Sequence, residues 1–212
     1  MKKIFLRVIF LTIAIFNVYS QNEFQFRNFI WGTTIETIKA KEGNPDEEYE
    51  DRMFFQDIKG ITYYNKMVAG YQANTDFGFF ENKLHKGSYS IDRIFSIDRG
   101  IESFIDLRNK LKALYGDNTY VSGESILTTN YNNITDNQII ERLKQNYSTT
   151  IGSNSYFVFK ISWHNQNTGI DMEFSFNDYS NKYEIEITYL SPNYLNNLNE
   201  ARNKRKNSNE GL

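Results

Sequence analysis

The clearest pattern in the chain is an alternation of apolar and polar residues in three consecutive segments near its C-terminal end. Each segment places four large apolar side chains on one face, with turns at residues 166–169 and 179–181 between the segments. A period of two with one apolar face is typical of antiparallel strands that are buried on one side and solvated on the other. The pattern predicts an antiparallel meander whose buried residues are Phe157, Phe159, Ile161, Trp163, Ile170, Met172, Phe174, Phe176, Tyr183, Ile185, Ile187 and Tyr189.

A less regular alternation covers residues 53–97. Turn residues divide it, with Ala69-Gly70 as one break and the Glu-Asn-Lys run at 81–83 as the tip of a hairpin. The strand after the tip is predicted to continue through Phe95 and Ile97, and Gly87 inside it indicates a bulge. This region predicts a meander of its own, ahead of the C-terminal one.

Helical spacing appears between the two meanders. Residues 101–115 carry a wide apolar stripe, which predicts a helix. Thr135 followed by Gln138 has the spacing of a capping box and predicts a helix that continues to about residue 147. Between these two helices, residues 120–129 are predicted to form a strand.

A corner at Trp31-Gly32 precedes the first helix. Alternation over residues 24–28 predicts a short strand before the corner, and Thr33 with Glu36 forms a capping-box pattern after it. Gly43 is expected to end this helix. We interpret Trp31 as an anchor in the core and Gly32 as the residue at which the chain turns from strand into helix.

The order of a helix followed by a meander therefore occurs twice. We predict an α+β fold of two tandem helix-plus-antiparallel-meander units that form one compact domain over residues 21–201, with halves at about 21–97 and 98–190. A C-terminal helix is predicted from Ser191-Pro192, with Leu195, Leu198 and Ala201 as its apolar stripe. The polar residues 202–212 are expected to fray.

The first twenty residues have the pattern of a cleaved secretory signal peptide. Lys2 and Lys3 precede the apolar run Val8–Phe16, and small residues lead up to a cut after Ser20. Arg7 interrupts the apolar stretch, which is shorter than the roughly 18 residues of a membrane span. We expect export to the periplasm or the exterior, with no transmembrane segment in the mature protein.

Composition narrows the classes of protein further. The chain has no Cys, which excludes disulfides, a thiolate nucleophile and the lipidated cysteine of a bacterial lipoprotein, so no lipid anchor is expected. The net charge of −2 becomes more negative once the basic leader is removed. A chain without a basic field is not expected to bind nucleic acid.

The corner and the second helix carry a resemblance to known exported proteins. The run Trp31 to Glu36, WGTTIE, resembles the opening of many small exported bacterial proteins, and Leu111 to Gly116, LKALYG, looks like the helix end of their second unit. The fold is similar to that of the small outer-membrane-assembly lipoproteins and of β-lactamase-inhibitor-protein-like domains. This resemblance implies a fold used mainly for protein contacts, although this chain lacks the lipoproteins' cysteine.

Catalytic and metal-binding patterns are missing from the sequence. The only histidines, His85 and His164, are far apart and lack zinc spacing, and we expect both to be exposed or packing residues. The acidic residues 46–52 are expected to form a solvated loop, because they lack the spacing and glycine turn of a calcium loop. We predict no cofactor, no metal site and no enzymatic activity.

One polar surface remains as a candidate binding site. Four carboxylates lie on the polar faces of two adjacent predicted strands, and the strand parity of three aromatic residues allows them to be exposed. These candidate partner or ligand residues are Tyr64, Phe80, Tyr156, Asp171, Glu173, Glu184 and Glu186. Ion pairs with Lys160 and Lys182 would also explain the acidic pattern.

We therefore expect an exported non-enzymatic protein that binds an envelope protein through a sheet face or an edge strand. A binder of small ligands or glycans is the alternative. A hydrolase that uses the strand-face carboxylates is a third hypothesis.

Overall fold

A computed structural model describes residues 26–50, 58–117, 120–123, 134–164, 167–194, 196–197 and 199–200 of the protein. These residues form three helices and one antiparallel sheet. In chain order the elements are α1 (Ile35–Glu42), β1 (Glu47–Glu50), β2 (Ile58–Val68), β3 (Tyr71–Phe80), β4 (Lys83–Ile94), α2 (Ile97–Tyr115), β5 (Tyr120–Gly123), α3 (Asp136–Thr150), β6 (Tyr156–His164), β7 (Gly169–Asn177) and β8 (Lys182–Leu190). The α+β class is confirmed.

The eight strands form one continuous sheet in the order β1-β2-β3-β4-β8-β7-β6-β5. The first four strands make one half of the sheet and the last four make the other, and the halves join where β4 pairs with β8. Ser88 pairs there with Thr188, flanked by the pairs Gly87–Tyr189 and Tyr89–Ile187. Counted from the Ser88–Thr188 pair, Asp76 and Asp171 lie one strand away on either side, and Thr62 and Ser162 lie two strands away.

All three helices pack on the same face of this sheet. The rings of Phe104 in α2 and Phe174 in β7 are 6.0 Å apart, and those of Tyr147 in α3 and Phe176 in β7 are 5.0 Å apart. Ile38 of α1 is fully buried in the same cluster as the apolar residues of the strands. The helices therefore cover one face, which we call the core face, and leave the opposite face, which we call the open face.

The predicted C-terminal meander is confirmed by β6, β7 and β8. All twelve of its predicted apolar side chains are buried, and none exposes more than 8% of its surface. Burying a side chain of this size stabilises a fold by about 1.5–3 kcal/mol. The set is therefore a large part of the core, and its parity decides which face of the sheet the helices cover.

The corner before α1 is confirmed, but its details differ from the prediction. Gly32 has a φ of +91°, which only glycine adopts easily, and its N–H donates to the Leu84 carbonyl. The cap of α1 is Thr34, which accepts from the Thr37 N–H, and not Thr33, whose hydroxyl donates to the Ile30 carbonyl. The second capping box, at Thr135, is confirmed.

A predicted strand over 24–28 and a predicted loop over 46–52 were both wrong for the residues described. In place of the strand, Phe26 and Phe29 form an isolated bridge around a tight turn. In place of the loop, Glu47–Glu50 form β1 and pair with β2, because the backbone of an edge strand can pair while its side chains stay solvated. Residues 24, 25 and 51–57 lie outside the described residues.

The end of β4 and the position of its bulge also differ from the prediction. β4 ends at Ile94 and Ile97 begins α2, because Ser96 caps that helix by accepting from the Arg99 N–H. Phe95 in the connection is 84% exposed. The bulge next to the hairpin tip inserts His85 opposite the Gly78–Phe79 step, two residues before the predicted Gly87.

No C-terminal helix is among the elements of the described chain, and the last of these elements is β8. After β8 the Asn197 N–H donates to the Asn193 carbonyl at 2.9 Å. The stripe residues Leu195, Leu198 and Ala201 lie outside the described residues, as do the predicted leader, the tail at 202–212 and residues 124–129 of the strand predicted after α2.

Candidate functional site: the open face of the sheet

The open face carries rows of polar side chains that cross both halves of the sheet. Its central row is made of residues that pair in register on successive strands, and all of them from β1 to β6 carry a hydroxyl or a carboxylate. From β1 to β6 this row consists of Glu47, Thr62, Asp76, Ser88, Thr188, Asp171 and Ser162.

The two halves of this row make the same kind of hydrogen bond. The Thr62 hydroxyl donates to Asp76 at 2.5 Å in the first half, and the Ser162 hydroxyl donates to Asp171 at 2.6 Å in the second. The two aspartates differ in their neighbours, because Asp171 also lies 2.7 Å from the Lys160 ammonium. The two hydrogen-bonded pairs therefore have the same residue types. Among the described residues, however, the Asp171 carboxylate has an ammonium group beside it and the Asp76 carboxylate does not.

The four predicted carboxylates do share the open face, and each has polar neighbours there. Lys160 lies between Asp171 and Glu173 and is 3.1 Å from the latter. Glu184 accepts from the Ser90 hydroxyl at 2.5 Å, and Glu186 accepts from Thr188 at 3.0 Å. Cross-strand pairing therefore accounts for much of the acidic pattern.

The open face is acidic overall. Carboxylates outnumber ammonium groups among the described residues that the strand register places there. The acids are Glu47, Asp76, Asp171, Glu173, Glu184 and Glu186, and the bases are Lys83, Lys86, Lys160 and Lys182, joined by Arg93 of β4, which donates to Gln72 and Asn65. A cationic surface would therefore find complementary charge on this face.

A concavity of about 220 Å³ lies on the open face, mainly over the first half of the sheet and reaching Glu186 of β8. Its lining residues are Tyr49, Asp76, Gly78, Lys86, Ser88 and Glu186. Tyr49 projects from the edge strand β1 across its partner Gly60, where any Cβ would overlap the tyrosine ring. The glycine is therefore needed for the tyrosine ring to pass over this point of β2.

Asp76 is the chemically distinctive residue of this concavity. Burial raises the pKa of its carboxyl, and the nearby acids Glu186 and Glu47 add to that shift. The hydrogen bond from Thr62 and the charge of Lys86 oppose the shift without cancelling it. The carboxylate is thus half-buried and incompletely compensated.

The three predicted aromatic residues have different outcomes. Tyr64 and Tyr156 are exposed by 41% and 59%, and the Tyr64 hydroxyl donates to Glu47. Phe80, whose strand parity allows exposure, is only 5% exposed. It packs edge-on against His85, the residue inserted by the bulge, so its strand parity did not predict its burial.

His85 is buried, whereas His164 is exposed at the end of β6. The His85 ring stacks on Tyr194 at 5.3 Å, and neither of its nitrogens has a hydrogen-bond partner among the described residues. Burial lowers the pKa of His85 to about 4, the charge of Lys86 adds to this shift, and the Phe79 backbone opposes it in part. The imidazole is therefore neutral at pH 7.

A second cavity, of about 590 Å³, lies between α1 and the edge of the sheet. Ion pairs cross or flank it, with Lys39 2.7 Å from Glu48 and Lys59 3.2 Å from Glu50. In the ranges the structure describes, no three histidine or acidic side chains converge to hold a metal ion. The polar groups of this cavity are thus engaged with one another.

Sequence reasoning did not select Tyr49 or Asp76. Tyr49 falls in the predicted loop over residues 46–52, and Asp76 is one of many polar positions in the alternating region 53–97. A usable signal was the pair of glycines Gly60 and Gly78, which face each other on adjacent strands and leave room above the sheet.

None of the described helices has the length and apolar content needed to cross a membrane. Comparison of the chain with protein-family models, with curated proteins and with solved structures found no significant match.

Proposed function

We propose that this chain is an exported, non-enzymatic binding protein of the bacterial envelope that contacts another protein through the open face of its sheet. The proposal includes cleavage of the leader after Ser20 and a periplasmic or secreted location. It also treats the two halves of the sheet as two helix-plus-meander units of one domain, so that the binding surface spans their junction.

The observation that supports this proposal best is the one-sided placement of the helices. The core face is covered by α1, α2 and α3, whereas the open face carries half-buried polar side chains in continuous rows. The concavity on this face, of about 220 Å³, is smaller than the roughly 300–1,000 Å³ of ordinary small-ligand pockets, so the polar surface suits a protein partner better than a small ligand.

The charge of the open face indicates the chemistry of the partner. Because its carboxylates outnumber its ammonium groups, we expect a partner surface rich in Lys or Arg. Tyr64 and Tyr156 at opposite ends of the face add exposed aromatic area of the kind found at binding hot spots.

The experiment compares charge reversals on the two sides of the molecule. Glu173→Lys with Glu184→Lys changes the open face, and Glu102→Lys with Glu141→Lys changes exposed positions of α2 and α3 by the same net charge. Capture from envelope extracts should be lost with the first pair and kept with the second, at equal thermal stability. Equal capture by both variants, or loss only with the helical pair, would contradict the proposal.

Glycan binding is a second candidate, and the Tyr49 ring beside polar groups favours it. A tyrosine above a glycine floor with carboxylates at its side is an arrangement that can stack and hydrogen-bond a sugar ring. A thermal-shift screen with methyl glycosides tests it, because a glycan site must give concentration-dependent stabilisation that Tyr49→Ala removes.

A further inference from the structure

The concavity beside Tyr49 differs from the rest of the open face in its charge balance. At the equivalent position in the other half, Asp171 has an ammonium 2.7 Å away, and its side chain is 16% exposed. Among the described residues, Asp76 forms a hydrogen bond with the neutral Thr62 hydroxyl and has no ion pair. One of two symmetric carboxylates is thus neutralised within the chain, and the other is not.

Lys86, which lines the concavity, does not fully neutralise the Asp76 carboxylate. The Lys86 ammonium lies 3.8 Å from Glu186, so its charge is shared with a second carboxylate. The lining therefore holds two carboxylates and one ammonium, and its net charge is negative. A half-buried carboxylate in this situation gains free energy when a cation is brought next to it.

The shape of the concavity fits the head of a long cationic side chain. Its volume of about 220 Å³ is below that of ordinary ligand pockets, and Gly78 allows close approach to the backbone. Tyr49 supplies an aromatic wall, which attracts guanidinium and ammonium groups.

We propose that the concavity formed by Tyr49, Asp76, Gly78, Lys86, Ser88 and Glu186 receives an arginine or lysine side chain of the partner protein. The cation forms a charge-assisted hydrogen bond with Asp76 and packs against the face of Tyr49. This inference rests on the proposed function, because it gives that binding surface an anchoring pocket.

The test uses N-acetyl-arginine amide as the probe and N-acetyl-norleucine amide as its uncharged counterpart, followed by NMR on the intact chain. We expect saturable shifts of the Tyr49, Gly78 and Ser88 amides with the arginine probe alone, and a fall in the measured pKa of the Asp76 carboxyl when it binds. Asp76→Asn should weaken binding about tenfold, which is the contribution of one charge-assisted hydrogen bond. The matched variant Asp171→Asn should change it less than about twofold.

Several results would overturn the assignment. These are the absence of saturable shifts, equal weakening by Asp76→Asn and Asp171→Asn, or saturable shifts with methyl glycosides in place of the arginine probe. If the probe fails while the Glu173→Lys and Glu184→Lys pair still abolishes partner capture, the pocket assignment falls and the proposed function stands. If the probe binds while that pair leaves capture unchanged, the pocket stands as a cation site and the proposed function falls.

Discussion

Gly87 offers a sharp test of how the N-terminal corner docks onto the sheet. A Cβ at this position would overlap three ring atoms of Phe26, all nearer than 3.0 Å. The Phe26 ring cannot move freely, because its centroid lies 5.1 Å from that of Phe77, 5.0 Å from Tyr89 and 5.3 Å from Tyr189. Gly87→Ala must therefore displace a ring that is already packed on three sides.

The expected cost follows from overpacking. Inserting a methyl group into a filled core costs about 1–3 kcal/mol, and full expulsion of the ring would approach the roughly 3–5 kcal/mol of a Phe→Ala change. For a chain of this size, a loss of 1–3 kcal/mol lowers the melting temperature by roughly 2–12 °C. Urea denaturation followed by circular dichroism measures the change in the free energy of unfolding.

Two controls make the Gly87 prediction specific. Gly169→Ala places a Cβ in ordinary contact, 3.4 Å from the His164 ring, and should change stability by less than about 0.5 kcal/mol. In a Phe26→Ala background the ring is gone, so Gly87→Ala should cost little. If the two substitutions are additive, or if Gly87→Ala alone is neutral, the docking of Phe26 over Gly87 is wrong.

Three further predictions concern single buried or half-buried groups. Because the pKa of His85 falls from 6.5 to about 4 on folding, its neutral form contributes stability above pH 6.5 that is lost as the pH falls toward 4. The loss reaches at most about 3 kcal/mol, so His85→Phe should flatten this part of the stability–pH curve, and an unchanged curve would contradict it. Arg108→Ala should cost roughly 1–3 kcal/mol in urea denaturation, because the buried guanidinium bonds Asp136 at 2.6 Å and the Ile134 carbonyl at 2.8 Å. Asp136→Asn keeps the bond from Arg108 to the Ile134 carbonyl and should lower the free energy of unfolding by less. A larger loss with Asp136→Asn than with Arg108→Ala would contradict this structural role of Arg108. Trp31→Phe removes an indole N–H that donates to the Asn167 carbonyl at 2.9 Å. It should lower the free energy of unfolding by about 1 kcal/mol and leave partner capture unchanged. Loss of capture at full stability would instead make Trp31 a binding residue.

The sequence predicted the C-terminal meander most accurately, because its alternation is regular over three strands. Each strand has four apolar residues at a period of two, and a shift of one residue would expose all of them. The helix that begins after Thr135 was also predicted well, since a capping box is a local signal. Local and strictly periodic patterns therefore carried most of the fold.

The features that were missed depend on contacts between distant parts of the chain. The pairing of β1 depends on β2 and not on its own acidic side chains, and the burial of Phe80 depends on the bulge at His85 and on Tyr194. The candidate concavity arises where Tyr49 crosses Gly60 to face Asp76. No periodicity in one segment contains that information.

The sequence predicted only part of the candidate site, because the rest also depends on contacts between distant parts of the chain. Parity correctly placed the four carboxylates on one face and anticipated their pairing with lysines. Strand parity could not show that Asp171 is neutralised by Lys160 while Asp76, which lies at the matching distance on the other side of the Ser88–Thr188 pair, lacks such a partner among the described residues. That difference depends on which side chain the neighbouring strand presents.

The most direct test of the central claim is site-specific photo-crosslinking from the two faces of the sheet. A photoreactive amino acid is placed at Glu173 or Glu186 on the open face, and at Glu102 or Glu141 on the helices as controls. We predict crosslinks to one basic partner from both open-face positions and none from the helical positions. Crosslinks from the helical positions alone would show that the helices, and not the open face, form the binding surface.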